Sequence, residues 1–256
     1  LRQGVEIKLA GIEVKDSSIE LGESFFMRRR RGGEAVFGLI KWREAGAHGG
    51  AEFRRIDGVR FLVVRVQRGG GIRTGWSVRR AARILWKNGV TEAVFPRDFP
   101  DAAHFAARGI APVDVRPLRE EAAASLIRCA LAQREIAPQR ATVALCASHV
   151  TRAYMAAAEQ LASDTRYLQL CAGEGAWELS LALLGRFGAA APVLRAPEGA
   201  DIALCFDDGS AVCSAACVLP LRSPTLRIQY AGMETCVEEP EQFLAARYAS
   251  LALRAE

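Results

Sequence analysis

A141TVALC146, V150TRAYMAAAEQLA162, T165RYLQLC171, E174GAWELSLALLGRFG188, P192VL194 and D201IALCF206 follow one another along the chain, and their alternation decides the fold. The first, third and last are short apolar runs. The second and fourth have the spacing of amphipathic helices. Apolar strands separated by such helices indicate a parallel sheet covered on its faces. The expected class is α/β, with a doubly wound, mostly parallel sheet. Past this stretch, D207-D208-G209 predicts a hairpin returning through S210AVCSAACVLPL221, and L226RIQY230 predicts another strand. An amphipathic helix starting near Glu239 closes the chain, with Phe243, Leu244, Tyr248, Leu251 and Leu253 available for packing.

Upstream, from residue 69, helix-like segments stop at glycine and give way to strands. S77VRRAARILWKN88 stops at Gly89, and F99PDAAHFAAR108 stops at Gly109. A glycine just past a helix supplies the left-handed residue that ends it. Pro117 suits a first helical position and Pro138 a position beyond an end, so a long helix is expected from Pro117 to about Glu135. Residues 5 to 66 read differently. V5EIKLAGIEV14, A35VFGLIKW42, F53RRI56 and V59RFLVVRV66 are β-rich pieces between turn signals, with Asp57-Gly58 suited to a tight hairpin. These predict an antiparallel meander, either a small N-terminal subdomain or an extension of the main sheet; Arg60 and Arg65, on opposite faces, suit Val59 to Val66 as an edge strand or one leaving the core. The expected domains are a β-rich N-terminal subdomain, 1–68, and an α/β domain, 69–256.

The chain has 256 residues, half of them apolar and a quarter charged, which is the profile of a soluble globular protein. No apolar run reaches the roughly 18 residues of a membrane span, and L1RQGVEIKLAG11 lacks the apolar core of a secretory signal. Leu1, not Met, opens the sequence and leaves the native start open. The net charge of +5 is carried almost wholly by arginine, since lysine occurs only at Lys8, Lys15, Lys41 and Lys87. That usage fits a GC-rich bacterial genome as well as it fits a binding function. It falls short of the basic patterning of a dedicated nucleic-acid binder. Cysteine occurs seven times, an odd number, and Cys146, Cys171 and Cys205 end or nearly end apolar strands. Reduced, buried thiols in a cytoplasmic protein are expected.

Ligands of open α/β sheets bind beyond the carboxyl ends of the strands. The first such candidate is R68GGGIRTGWS77. Gly70, Gly71, Gly75 and Ser77 have the outline of an anion-binding loop that opens a helix, with Arg73, Arg79 or Arg80 to supply charge. Trp76 stands where a phosphate-binding lysine would be, and the alternative is a glycine linker with Ser77 as an ordinary N-cap. The second candidate is C146ASHV150. Val143 to Leu145, the helix after them, the strand Tyr167 to Leu170 and A200DIALCF206 are spaced as in Rossmann-like nucleotide-binding domains, which this stretch resembles at the superfamily level. The resemblance implies the fold. It departs at the site, where Ala147, His149 and Arg152 stand in place of the G-x-G-x-x-G glycines, so NAD(P) is disfavoured and no cofactor is expected. Ser148 and His149 remain as anion-binding candidates and His149 as a possible base; Ser148 or Thr151 acting as helix N-cap is the structural alternative. No ligand spacing for a metal is present, since C213SAAC217 has three intervening residues.

No nucleophile–base–orienter set can be read, so the sequence assigns no reaction. Three functions follow. The first is a non-catalytic or regulatory Rossmann-like scaffold that meets a protein partner. The second is an enzyme or binding protein for a phosphorylated small molecule or nucleotide held by residues 69–77. The third is an RNA-associated protein using the run Arg28 to Arg31, although the overall charge argues against a nucleic-acid partner.

Overall fold

The computed structural model describes residues 6–9, 35–43, 50–69, 72–97, 99–207, 215–223, 226–230 and 239–252. By contact, the chain divides into two compact units. Residues 1–12 and 116–231 form unit 1, and residues 13–115 and 232–256 form unit 2. This division differs from the expected boundary at residue 68. The reason lies in how the strands near that boundary pair.

In unit 2, β2 (Val36–Arg43) and β4 (Val59–Gln67) pair parallel, with Phe37 opposite Phe61 and Leu39 opposite Val63. The strand between them in sequence, β3 (Ala51–Ile56), pairs antiparallel with β4 through a tight turn. Asp57 and Gly58 have φ 47° and 79°, both left-handed, as a hairpin turn matched to strand twist requires. The expected hairpin is therefore present, but the meander is not. β4 is an interior strand of the order β3-β4-β2-β5-β6, where β5 is Glu92–Val94 and β6 Ala111–Pro112. Parallel pairing of β4 with β2 needs a crossover to continue the sheet. α1 (Ile72–Lys87) provides it, carrying the chain from β4 across β2 to β5. Residues on both sides of position 68 thus belong to one sheet. α1 buries Val78, Ala81, Ala82 and Leu85 against Leu62, Val64, Val66 and Ile40. α2 (Ala103–Ala106) adds Phe105 to the same layer. The opposite face is covered by α7 (Pro240–Ala252), where buried Phe243 stacks on Phe61 at 5.3 Å between ring centroids. Gly38 is needed inside β2, because a Cβ there would lie 2.7 Å from the Cβ of Ala93 and 2.9 Å from Leu85.

Unit 1 holds a four-stranded, wholly parallel sheet of order β10-β9-β7-β8. β7 is Thr142–Cys146, β8 Tyr167–Cys171, β9 Ile202–Cys205 and β10 Cys217–Pro220. α5 (Arg152–Ala162) links β7 to β8, and α6 (Ala176–Phe187) follows β8. β10 runs parallel to β9, so the antiparallel return expected after D207-D208-G209 does not occur. A second, two-stranded parallel pair joins β1 (Glu6–Leu9) to β11 (Arg227–Tyr230). The expected long helix is two, α3 (Arg116–Glu121) and α4 (Ala123–Gln133), separated at Ala122. The glycine stops hold, with φ of 70° at Gly89, 71° at Gly109 and 65° at Gly188.

The two units share a winding. In each, the first parallel strand lies between the second and the third, and the fourth lies beyond the third: β4-β2-β5-β6 and β8-β7-β9-β10. This is the Rossmann-like, doubly wound order, and it places binding crevices at the carboxyl ends of the strands.

Candidate functional site

At the carboxyl edge of the unit 2 sheet lies a cleft of about 470 Å³, within the range of small-ligand sites. β2 contributes Arg43, its last residue. β4 contributes Val64, Arg65 and Gln67. α1 contributes Ile72, Arg73, Trp76, Ser77 and Arg80. Positions 72, 73, 76, 77 and 80 share one side of a helix because a turn takes 3.6 residues. Four guanidinium groups and one indole thereby meet around a single concavity. Arg65 is anchored, its Nη2 donating to Glu52 Oε1 at 2.5 Å, and Arg54 Nε lies 3.0 Å from the same oxygen. The hydrogen bond from Arg65 holds the Glu52 carboxyl below its usual range, with Arg54 adding to the effect. Arg80 sits over the Trp76 ring at 5.6 Å, and Arg68 over the Trp42 ring at 5.9 Å, so aromatic faces orient cations at this edge.

The helix begins earlier than the sequence suggests. Gly75 and Ser77 lie within α1, not in a loop before it, so the phosphate-loop outline does not form across 69–77. Ser77 is not an N-cap; its hydroxyl accepts from the Gln67 backbone N–H at 3.1 Å and ties the helix to the end of β4. Gly69 is left-handed, at φ 128°. Gly70 and Gly71 lie outside the described residues, as do Arg28 to Arg31, Cys213 and Cys236. Of the expected anion-binding residues, Arg73 and Ser77 line the cleft, whereas Ser148 and His149 belong to unit 1. The sequence signal that could have revealed the cleft is the i, i+3, i+7 spacing of Arg73, Trp76 and Arg80, once the helix start is moved back to Ile72.

The corresponding edge of unit 1 is built differently. The loops after β7 and β8 continue to pair beyond the strands. Ala147 N–H donates to Cys171 O at 3.0 Å, Gly173 N–H to Ser148 O at 3.1 Å, and Val150 N–H to Glu174 O at 3.0 Å. Such close approach requires the G173-E-G175 pair. A Cβ on Gly173 would fall 2.5 Å from Ser148 O, and Gly175, at φ 85°, is the left-handed residue that starts α6. Sequence reading passed over these glycines, although a G-x-G between a strand and a helix is a legible sign of close backbone approach. Ser148 N–H donates to Asp207 Oδ2 at 2.6 Å, so a carboxylate of the chain itself lies on the backbone donor at the switch between β7 and β9. The Ser148 hydroxyl lies 3.1 Å from His149 Nδ1. Thr151 is the N-cap of α5, accepting from Tyr154 N–H at 3.2 Å. Below the loops, Cys146 stands in register between Cys171 and Cys205. Cys146 hydrogen-bonds to Cys171 and to Cys205 and is buried, which together push its thiol up; the bond from Cys146 draws the Cys171 thiol down. Among the described residues, no group of three His, Cys, Asp or Glu side chains is placed to hold a metal ion. None of the described helices is long and apolar enough to cross a membrane.

No protein-family model matches the chain, and no curated protein does. Among solved structures, one of a shikimate 5-dehydrogenase-like protein is similar at 11% identity and a TM-score of 0.25, over 70% of this chain and 69% of the other. At that distance it says nothing about the site. The Rossmann-like description rests on the strand order above.

Proposed function

We propose that this is a Rossmann-like regulatory protein that binds a phosphorylated small molecule or nucleotide in the unit 2 cleft. One observation carries the reading: Arg43, Arg65, Arg73, Arg80 and Trp76 line one cleft at the carboxyl edge of a doubly wound sheet. Guanidinium groups present planar donor forks that match phosphate oxygens, and an indole offers a flat face to a base or ring. Arg65, committed to Glu52, holds the wall, while Arg73 and Arg80 on α1 are placed to meet the anion. These groups bind and orient.

The test is a thermal-shift and calorimetry screen of nucleoside phosphates, dinucleotides and phosphorylated sugars on the full chain. A ligand at a hundred times its Kd stabilises by about 2.7 kcal/mol. Binding should quench tryptophan emission and disappear in the Arg73→Ala/Arg80→Ala variant. Full affinity in that variant, or no shift from any ligand, refutes the reading.

A second reading, a scaffold for protein contact, is favoured by α6. Trp177, Leu181 and Leu184 are exposed on one side of it at spacings of four and three residues. Sedimentation of wild type against Leu181→Glu/Leu184→Glu tests self-association through that side; identical monomeric behaviour of both counts against it.

A further inference from the structure

From the outer face of α1 we infer that unit 2 binds single-stranded nucleic acid, with phosphates running along the helix and bases stacking on its tryptophans. The inference rests on the cleft reading at its N-terminal end, where Arg73 and Trp76 belong to both. It extends ten residues further, to Trp86.

α1 spans 16 residues and has no acidic one. Its charges are Arg73, Arg79, Arg80, Arg83 and Lys87. At about 100° per residue, these five and the two tryptophans fall within an arc of about 140°. The buried set, Thr74, Val78, Ala81, Ala82 and Leu85, occupies the other side. The segregation has a consequence for partner choice. In a membrane-surface helix the apolar side enters the lipid, but here that side is already packed against β4 and β2. What faces water is cationic and aromatic. Trp76 and Trp86 are 64% and 57% exposed, unusual for indoles of an ordinary solvated helix.

Ten residues at about 1.5 Å each put the two rings about 15 Å apart along the axis, a span of two to three nucleotides in an extended strand. Rows of arginine between stacking platforms are the equipment for sequence-tolerant binding of unpaired strands. A duplex hides its base faces and can use the charges alone. The overall charge of the chain gives no hint of this, because the acidic residues that dilute it lie elsewhere.

The experiment is fluorescence anisotropy of the full chain with a labelled oligo(dT) of about 12 nucleotides, with the same sequence in duplex form, and with vesicles containing phosphatidylserine. The single strand should bind more tightly than the duplex. The plot of log affinity against log salt should have a slope approaching about −3.5, if all five cations meet phosphates at about −0.7 each. Trp86→Ala should weaken oligonucleotide binding by roughly 5-fold or more, the effect of losing one stacked base. Arg83→Ser/Lys87→Ser should make the salt slope shallower by about 1.4. These three positions lie outside the cleft, so mononucleotide binding should be unchanged in both variants. Circular dichroism confirms that the exposed substitutions leave the fold intact. Equal binding of duplex and single strand with no effect of Trp86→Ala overturns the inference, as does vesicle binding without oligonucleotide binding. If mononucleotides bind and oligonucleotides do not, the cleft reading stands and this one fails. If oligonucleotide binding depends on Trp86 while mononucleotides do not bind, the reverse holds.

Discussion

Arg119 shows how one buried side chain can hold backbone carbonyls more than a hundred residues away. It is 4% exposed, and its guanidinium donates to the carbonyls of Leu221 at 2.8 Å, Ser223 at 2.9 Å and Leu226 at 2.9 Å. Those carbonyls lie between β10 and β11. Arg119→Leu keeps much of the apolar stem but takes the guanidinium donors from the Leu221 and Leu226 carbonyls, while Ser223 O keeps the Leu226 N–H at 3.3 Å. Each buried orphan costs about 1 kcal/mol or more, so a loss of about 2 kcal/mol is expected, read as a lower urea midpoint with an unchanged slope. Arg119→Lys should recover part of it, because an ammonium group cannot reach all three acceptors. Tyr154 supports β7 in a similar way, its buried hydroxyl donating to Leu145 O at 2.9 Å. Burial, with smaller contributions from Cys171 and Cys146, raises its pKa above the ordinary 10.0. The unfolded chain therefore releases this proton first. The stability it contributes is whole below pH 10 and is lost as the pH climbs toward the folded value. Tyr154→Phe should be about 1 kcal/mol less stable near neutrality, and it should lose less stability than wild type between pH 10 and 11.5 in parallel denaturant titrations.

Among the elements, the β3–β4 hairpin was the most legible, and it makes a direct test of local chemistry. Asp-Gly between two β-rich runs specifies a two-residue turn, and both residues adopt the left-handed conformation it needs. Nothing lies within 4 Å of where a Cβ on Gly58 would be, so a substitution there is strained by backbone geometry alone. Gly58→Ala should cost about 1 kcal/mol, visible as a fall in Tm of several degrees. Asp57→Asn should be neutral, since asparagine tolerates that conformation as well as aspartate does. Strand polarity was less legible. β2, β3 and β4 read as successive antiparallel strands of a meander, yet β2 lies directly beside β4 and parallel to it, because periodicity reports which faces are buried and not which strand is the partner or which way it runs. Arg65 misled for a related reason. An arginine in an apolar strand suggested an edge, but Glu52 on the paired strand neutralises it in place. The start of α1 was misplaced because Gly75 and Trp76 looked like loop residues; both point away from the core, where helix propensity yields to packing of the other side. The cleft was hidden by that one misplacement, while Arg73, Ser77 and Arg80 were already in view.

The two units have the same winding, and no internal repeat is legible in the sequence. In unit 1 a helix joins the first parallel strand to the second; in unit 2 the antiparallel β3 does so. Pattern matching along the chain finds the first kind of connection readily and misses the second, which is why unit 2 was split at residue 68. Each unit has its own sheet and its own core, and each is completed by a segment remote in sequence. Unit 1 pairs β1 with β11. Unit 2 is completed by α7, where Phe243 is fully buried on Phe61 and Gln242 Oε1 accepts from Phe95 N–H at 2.9 Å. Phe243→Ala removes a large buried ring whose site is walled by strands, so the cavity cannot close fully. A cost of about 3 to 5 kcal/mol is expected. Because the ring packs on β4 and α7 contacts β4 and β5, the loss should fall on unit 2. Hydrogen exchange read by peptide should show protection falling in β2, β4 and β5 while β7, β8 and β9 keep theirs, as separate cooperative units require. A uniform fall across both sheets would show instead that the chain unfolds as a single body.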